Sequence, residues 1–268
     1  PYLCSLIREK ANKIQANRWI YMVIFQPIRG THDLLGKDIL KYNYIKNKIS
    51  ELANYYDFSE IETPIFENSD LFKKPLGEHS DVVLKEMYTF EDRNQSFLTL
   101  RPEYTTPMIR AAISNSLLSN LPVKLYGFGP IFRRERPQKG RYRQFNQINF
   151  EILGAAESSA DAELILLAYE FLNRIKLSDK VTLHINSLGE KATILKYKNI
   201  LSDYYEKYHK DLSDESKIKI NDNPLRILDS KNVNDKKINQ NAPKIKDYCS
   251  KNALLIFDQI QSILNDRG

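Results

Sequence analysis

Residues 123–154 read "VKLYGFGPIFRRERPQKGRYRQFNQINFEILG". The outer parts, "VKLYGFGPIFRRE" and "RYRQFNQINFEILG", are rich in aromatic and β-branched residues, and "RPQKG" between them carries the proline and glycine of a turn. The stretch therefore reads as a β-hairpin. Side chains alternate between the two faces of a strand. One face of the second strand holds Phe145, Gln147, Asn149 and Glu151, and the other holds Asn146, Ile148, Phe150 and Ile152. The second set is mostly core. On the first strand the same parity groups Ile131, Arg133 and Glu135. Around the turn stand Arg133, Arg134, Arg136, Lys139, Arg141 and Arg143. A polar face beside such a turn has two readings. It faces water, or it meets a nucleotide. In the second case Phe145 stacks a base while Arg133 and the turn cations hold phosphate oxygens, which guanidinium forks bind two at a time. Gln147 and Glu151 then remain for a polar or cationic second substrate.

Outward from the hairpin, residues 37–57 place Ile45, Ile49, Leu52, Ala53 and Tyr56 at three- and four-residue intervals, one buried helical stripe. "FSEIETPIF" (58–66) reads as a strand, with Pro64 marking an edge or an end. Residues 105–119 read as a helix through Met108, Ile109, Ala112, Ile113 and Leu117. A further helix is expected over about 160–176, capped by Ser158 or Ser159 and well buried through "AELILLAYEFL". "KVTLHIN" (180–186) alternates as a half-buried strand. After "SLG" the chain turns helical and rich in Lys, Asn and Asp, interrupted by "NDNPLRILDSKN". Hairpins between helices, without regular βαβ alternation, argue for an α+β fold with an antiparallel sheet and a smaller helical module behind it.

With 42% hydrophobic and 28% charged residues, the 268-residue chain has the composition of a folded protein rather than a disordered one. A net charge of +6 is compatible with an anionic partner. Cys4 and Cys249 lie near opposite ends, and the four histidines are scattered, so neither a disulfide framework nor a metal site is indicated. No apolar run approaches the roughly 18 residues of a membrane span. Residues 1–21 are basic and precede Met22, which suits a leader or non-native extension. In "LTLRPEYTTPMIR" a strand hands over to a helix at Pro102, and spacing favours Glu103 and Thr105 as caps of that helix.

Four segments together resemble bacterial histidyl-tRNA synthetase: "RGTHDLLG" (29–36), "EMYTFEDRNQSFLTLRPEYT" (86–105), "FRRERPQKGRYRQF" (132–145) and "NPLRILDSKN" (223–232). The arginine-rich stretch is similar to motif 2 of the class II synthetases. "SEIETPIF", ending past Pro64, is similar to motif 1, which builds the dimer interface in that class. The resemblance implies a class II antiparallel sheet flanked by helices, ATP and Mg²⁺, histidine and tRNA(His) as partners, and a cytoplasmic homodimer. It implies that Arg133 binds the ATP α-phosphate and that Arg141 reaches the outer phosphates. Glu135 would contact the adenine amino group and Phe145 would lie under the ring. Glu103, Thr105 and Gln147 would hold the α-amino group of histidine, with Arg133 beside its carboxylate, and Glu151 would bind the imidazole. Arg134, Arg136 and Arg143 are left for ion pairs, tRNA contacts or solvent.

The resemblance also implies a division into a catalytic core over 22–188 and a helical insertion module over 189–268. On that reading the chain is the front part of an enzyme, since "RGLDYY", motif 3 and an anticodon-binding domain do not follow. Tyr104 stands where the family commonly has glycine, which predicts crowding of the amino-acid loop. Two rival functions share parts of this pattern: a non-aminoacylating paralogue that regulates ATP phosphoribosyltransferase, and a basic RNA-binding module.

Overall fold

The computed structural model describes residues 26–76 and 82–267, so the reading of residues 1–21 lies outside the described residues. The chain divides into two compact units at Leu153/Gly154.

In the first unit the hairpin forms as β5 (Val123–Phe132) and β6 (Gln144–Leu153), antiparallel over ten pairs from Val123↔Leu153 to Phe132↔Gln144. Helix α1 (Lys37–Tyr55) buries Ile49, Leu52 and Ala53, as its stripe predicts, and a short α2 (Asp70–Leu76) follows it in the chain. The even-numbered face of the hairpin is an aromatic layer: Tyr42 meets Phe128 at 5.2 Å between centroids, and Phe150 meets Phe58 at 5.1 Å and Tyr126 at 5.7 Å. Helix α3 (Thr105–Ser114) covers the other face, where Tyr104, Met108 and Ala112 pack with Leu125 and Ile131.

"SEIETPIF" becomes two short strands in different sheets. β1 (Ser59–Glu60) pairs with β5, and in parallel, so the sheet β1-β5-β6 is mixed rather than purely antiparallel. β2 (Phe66–Asn68) joins the antiparallel sheet β2-β4-β3 with β3 (Tyr88–Glu91) and β4 (Phe97–Leu100). Pro64 sits exposed at the change of sheet, where its missing N–H costs no ladder bond. The sheets are tied through Arg101, whose N–H donates to the Ile65 carbonyl (2.8 Å) and whose carbonyl accepts from the Phe132 N–H (3.0 Å).

Other expectations need correction. The helix after Pro102 ends at Ser114, and it buries Thr106, Pro107, Met108, Ala111 and Ala112 while Ile109 and Ile113 stay exposed. The strands of the hairpin do not run into "RPQKG". They stop at Phe132 and resume at Gln144, leaving an eleven-residue arm. Its backbone donors find partners elsewhere: Arg134 N–H on the Glu86 carbonyl (2.6 Å) and Arg143 N–H on the Gly30 carbonyl (2.7 Å).

In the second unit, α4 (Ser158–Arg174) opens with no side-chain cap, so neither Ser158 nor Ser159 serves as one, and only Ala162 and Leu167 are fully buried on it. "KVTLHIN" is not a strand. An alternating pattern needs an edge to pair with, and none reaches it among the described residues; Val181 and Leu183 are exposed. From Lys191 the unit is helical: α5 (Lys191–Lys207), α6 (Asp214–Asp222), α7 (Leu225–Leu228), α8 (Val233–Asn239) and α9 (Lys251–Asn265). Tyr197, Leu201, Tyr205, Leu212, Ile220 and Ile227 form its core.

"NPLRILDSKN" folds as α7 and the cap of α8, where the Asn232 side chain accepts from the Asn234 N–H at 2.8 Å. Its Ser230 hydroxyl donates to the fully buried Asp235 carboxylate at 2.6 Å. That carboxylate also accepts from the Ser213 N–H (2.9 Å) and from the Ser213 and Ser216 hydroxyls (2.7 Å each).

Candidate active site

The odd-numbered hairpin face carries the site, and α3 brings its N-terminus onto it. Arg133 is fixed first. Its Nε donates to the Pro102 carbonyl at 2.9 Å, and its guanidinium lies 5.6 Å from the centroid of the Phe145 ring. No partner among the described residues engages its two Nη nitrogens. One nitrogen thus holds the group while the fork stays available, the arrangement that recognises paired oxygens. Parity correctly put Arg133 with Phe145, although Arg133 lies one residue beyond the strand, on the bond from its own N–H to the Arg143 carbonyl (3.0 Å).

Glu135 and Arg141 meet in the arm. Arg141 Nη1 donates to Glu135 Oε2 at 2.9 Å, so two residues expected to touch opposite ends of a nucleotide are paired with each other. They line an open cleft of about 300 Å³ with Lys85, Arg134, Arg136 and Gln138. Arg143 stands apart, its Nε on the Glu135 carbonyl (3.4 Å) and its side chain against Gly30. Gly30 has φ +93°, and a β-carbon there would meet the Arg143 side chain at 2.9 Å. The "RGTHD" loop is therefore the clasp of the arm, with His32 against Tyr142 at 5.0 Å.

At the start of α3 the predicted amino-acid residues converge. Glu103 accepts the Thr106 N–H with both oxygens (3.0 and 3.3 Å), the capping role that its spacing favours. Thr105 does not cap. Its hydroxyl donates to Glu151 Oε1 at 2.6 Å, joining two predicted site residues from distant parts of the chain. Gln147 is half-buried beside them, its Oε1 buried and without a partner among the described residues.

Tyr104 does not crowd the loop. It is fully buried with its ring under the Arg101 guanidinium, 4.2 Å from centroid to carbon. Arg101 is itself held by the Thr63 carbonyl (2.7 Å) and the Pro130 carbonyl (2.9 Å). The ring fits because Gly127 and Gly129 present no side chain: a β-carbon at Gly127 would lie 2.7 Å from Tyr104 Cε1, and one at Gly129 2.7 Å from its hydroxyl. Burial pushes the phenol pKa up, against the opposing pull of Arg101, so Tyr104 is neutral near pH 7. Two glycines at i and i+2 share one strand face and signal close approach of something large. That signal was available in the sequence. Asn149, whose amide reaches both Thr105 and Glu151, had none beyond its place on the face.

The mixed α+β architecture around this hairpin is the fold of a class II aminoacyl-tRNA synthetase. The family model for histidyl-tRNA synthetase matches residues 30–232, and the chain belongs to that family. The histidine–tRNA ligase of Wolbachia sp. subsp. Brugia malayi is 46% identical over 235 residues, covering 88% of this chain and 56% of that protein. That of Orientia tsutsugamushi is 45% identical over 244 residues, covering 91% and 58%. The crystal structure of apo histidyl-tRNA synthetase from S. aureus superposes with a TM-score of 0.69 at 32% identity, over 91% of this chain and 55% of that one. A Bacillus halodurans protein described as an ATP phosphoribosyltransferase regulatory subunit/histidyl-tRNA synthetase shares the fold at TM-score 0.60 and 21% identity, over 91% of this chain and 65% of that one. The chain thus spans little more than half the length of the curated relatives it matches.

Proposed function

We propose that this chain carries the histidine-activating face of a histidine–tRNA ligase. A carboxylate oxygen of histidine attacks the α-phosphorus of ATP, the bond to the bridging oxygen breaks, and pyrophosphate leaves. Histidyl-adenylate then esterifies the end of tRNA(His). The observation that carries this reading is the Arg133 guanidinium, pinned through Nε to Pro102 and lying over Phe145, with its fork unpaired among the described residues. A donor pair held before the reaction stabilises charge developing on the α-phosphate with little reorganisation. Arg141 serves the outer phosphates once it exchanges Glu135 for them, which frees Glu135 for the adenine amino group while Phe145 supports the ring. Glu103, Thr105 and Gln147 hold the α-amino group, Arg133 steadies the carboxylate, and Glu151 accepts the imidazole N–H.

Among the described residues no three His, Cys, Asp or Glu side chains converge as a metal site. In this reading Mg²⁺ arrives as part of the ATP substrate. No helix among the described residues is long and apolar enough to cross a membrane. We place the enzyme in the cytoplasm as a homodimer built around the motif 1 segment at Pro64. Residues 22–188 act as the catalytic core and residues 189–268 as the insertion module.

The test is Arg133→Lys in a protein of the relatives' full length. A single ammonium cannot both hold the Pro102 carbonyl and present a fork, so histidine-dependent ATP–pyrophosphate exchange should fall by about 10²-fold or more. Arg134→Lys, in the open cleft, should cost less than about threefold, because a point charge there suffices. Equal losses in the two variants would sink the assignment.

A further inference from the structure

We infer that Asn149 is a positioning residue that decides which acceptor atoms this face presents, and so fits the face to a ligand offering two N–H donors. The inference rests on the reading that histidine binds here. Asn149 lies between Gln147 and Glu151 on the same strand face and reaches all the neighbouring polar groups. Its Nδ2 donates to Glu151 Oε1 at 2.7 Å and lies 3.4 Å from Thr105 Oγ1 and 3.5 Å from Met108 Sδ. A carboxylate only accepts, so the amide nitrogen must face Glu151, and the amide oxygen then faces the other way. There Gln147 Nε2 donates to Asn149 Oδ1 at 3.4 Å.

The consequences run through both neighbours. Glu151 Oε1 already receives the Thr105 hydroxyl (2.6 Å) and the Asn149 amide. Those two donors fix the carboxylate's rotation and leave Oε2 as the atom with no donor among the described residues. Gln147 turns its amide nitrogen to Asn149 with one of its two N–H groups, so its Oε1 faces the other way, buried and without a partner among the described residues. One side chain therefore sets two acceptors that lack a donor among the described residues, Glu151 Oε2 and Gln147 Oε1. An imidazole N–H and an ammonium supply the donors that such a pair lacks. A ligand that brings acceptors instead would leave the buried Gln147 Oε1 unsatisfied and set its own acceptors against the Glu151 carboxylate.

The experiment is steady-state pyrophosphate exchange in a protein of the relatives' full length, with KM for histidine, KM for ATP and kcat read separately. Asn149→Ala should raise KM for histidine about tenfold, the scale of one lost bond to a charged group, with kcat and KM for ATP within about twofold. Asn149→Asp keeps the shape but replaces the donor to Glu151 by a second acceptor. It should raise KM for histidine further, and it decides the matter if the alanine variant does not fold. In a Glu151→Gln background, Asn149→Ala should cost less than about twofold, because the partner it orients is already altered. Equal losses in both backgrounds, a fall in kcat with KM unchanged, or wild-type KM for histidine in Asn149→Asp would each overturn the inference. If Glu151→Gln alone leaves KM for histidine unchanged, the histidine-site reading itself fails, which is a different result from Glu151 mattering and Asn149 not.

Discussion

Acidification should weaken the second unit through one residue, Asp235. The carboxylate is fully buried and its Oδ atoms receive four hydrogen bonds from Ser213, Ser216 and Ser230. Burial alone would push its pKa up. The bonds from Ser230, Ser213 and Ser216 outweigh it and hold the pKa at about 2, against an ordinary 3.8. A folded-state pKa below the unfolded one means that the unfolded chain takes up the proton first as pH falls. The contribution is complete above pH 4 and is lost progressively down through pH 2. The gap of nearly two pH units, at about 1.4 kcal/mol each, amounts to about 2 kcal/mol.

Asp235→Asn isolates this contribution. The amide keeps the shape but turns an NH₂ towards hydroxyl and backbone donors, leaving at least one of them unsatisfied at a cost of about 1–3 kcal/mol near neutrality. Urea unfolding followed by far-ultraviolet circular dichroism, at several pH values between 6 and 2, gives the difference between the two chains, and the other acids cancel in it. The wild-type advantage should shrink by about 2 kcal/mol on the way down. Ser230→Ala should lose about 1–2 kcal/mol at pH 6 and much less at pH 2, because a bond to a charged acceptor becomes a bond to a neutral one. A wild-type advantage that stays constant to pH 2 would refute the reasoning, since the buried group would then be no more acidic folded than unfolded.

Two further outcomes test the frame of the site. Gly127→Ala should destabilise the first unit by about 1–3 kcal/mol in urea, because its β-carbon would stand 2.7 Å from a Tyr104 ring that cannot retreat; wild-type stability would mean that the ring is not wedged there. Glu135→Gln should change the unfolding free energy by less than about 1 kcal/mol, because its partner Arg141 is 61% exposed and water already screens the pair. A much larger loss would make the bridge a structural strut of the arm rather than a contact that a nucleotide can replace.

What the sequence could disclose follows from the range of the interactions. The hairpin and its two faces were readable because a period of two is local, and the hydrogen-bond register confirms each odd–odd pair from Val123↔Leu153 to Ile131↔Phe145. The arm was not readable as an arm. What ends the ladder at Phe132 is the transfer of backbone donors to Gly30 and Glu86, far away in the chain. Asp235 was equally silent: its donors come from residues 213, 216 and 230, and no local pattern gathers them. "KVTLHIN" shows the converse, since its alternation is a true local signal but a strand is a property of two segments.

Residue types and committed atoms carry different information, and the site turns on the second. The resemblance names Arg133, Glu151, Gln147 and Glu103 as equals. The geometry ranks them by what each has left. Arg133 has spent Nε on Pro102 and keeps its fork, Glu151 has spent Oε1 on Thr105 and Asn149, and Gln147 has turned its amide nitrogen, through one of its two N–H groups, to Asn149. Glu103 has both oxygens on the Thr106 N–H, at the N-terminus of a helix whose dipole already favours that negative charge. An ammonium that binds Glu103 must share those oxygens with a bond that holds α3 in place, whereas one that binds Gln147 Oε1 supplies a missing partner to a buried atom. Under the proposed function, the α-amino group would give Gln147 Oε1 the partner it lacks, while Glu103 would both hold that group and cap α3.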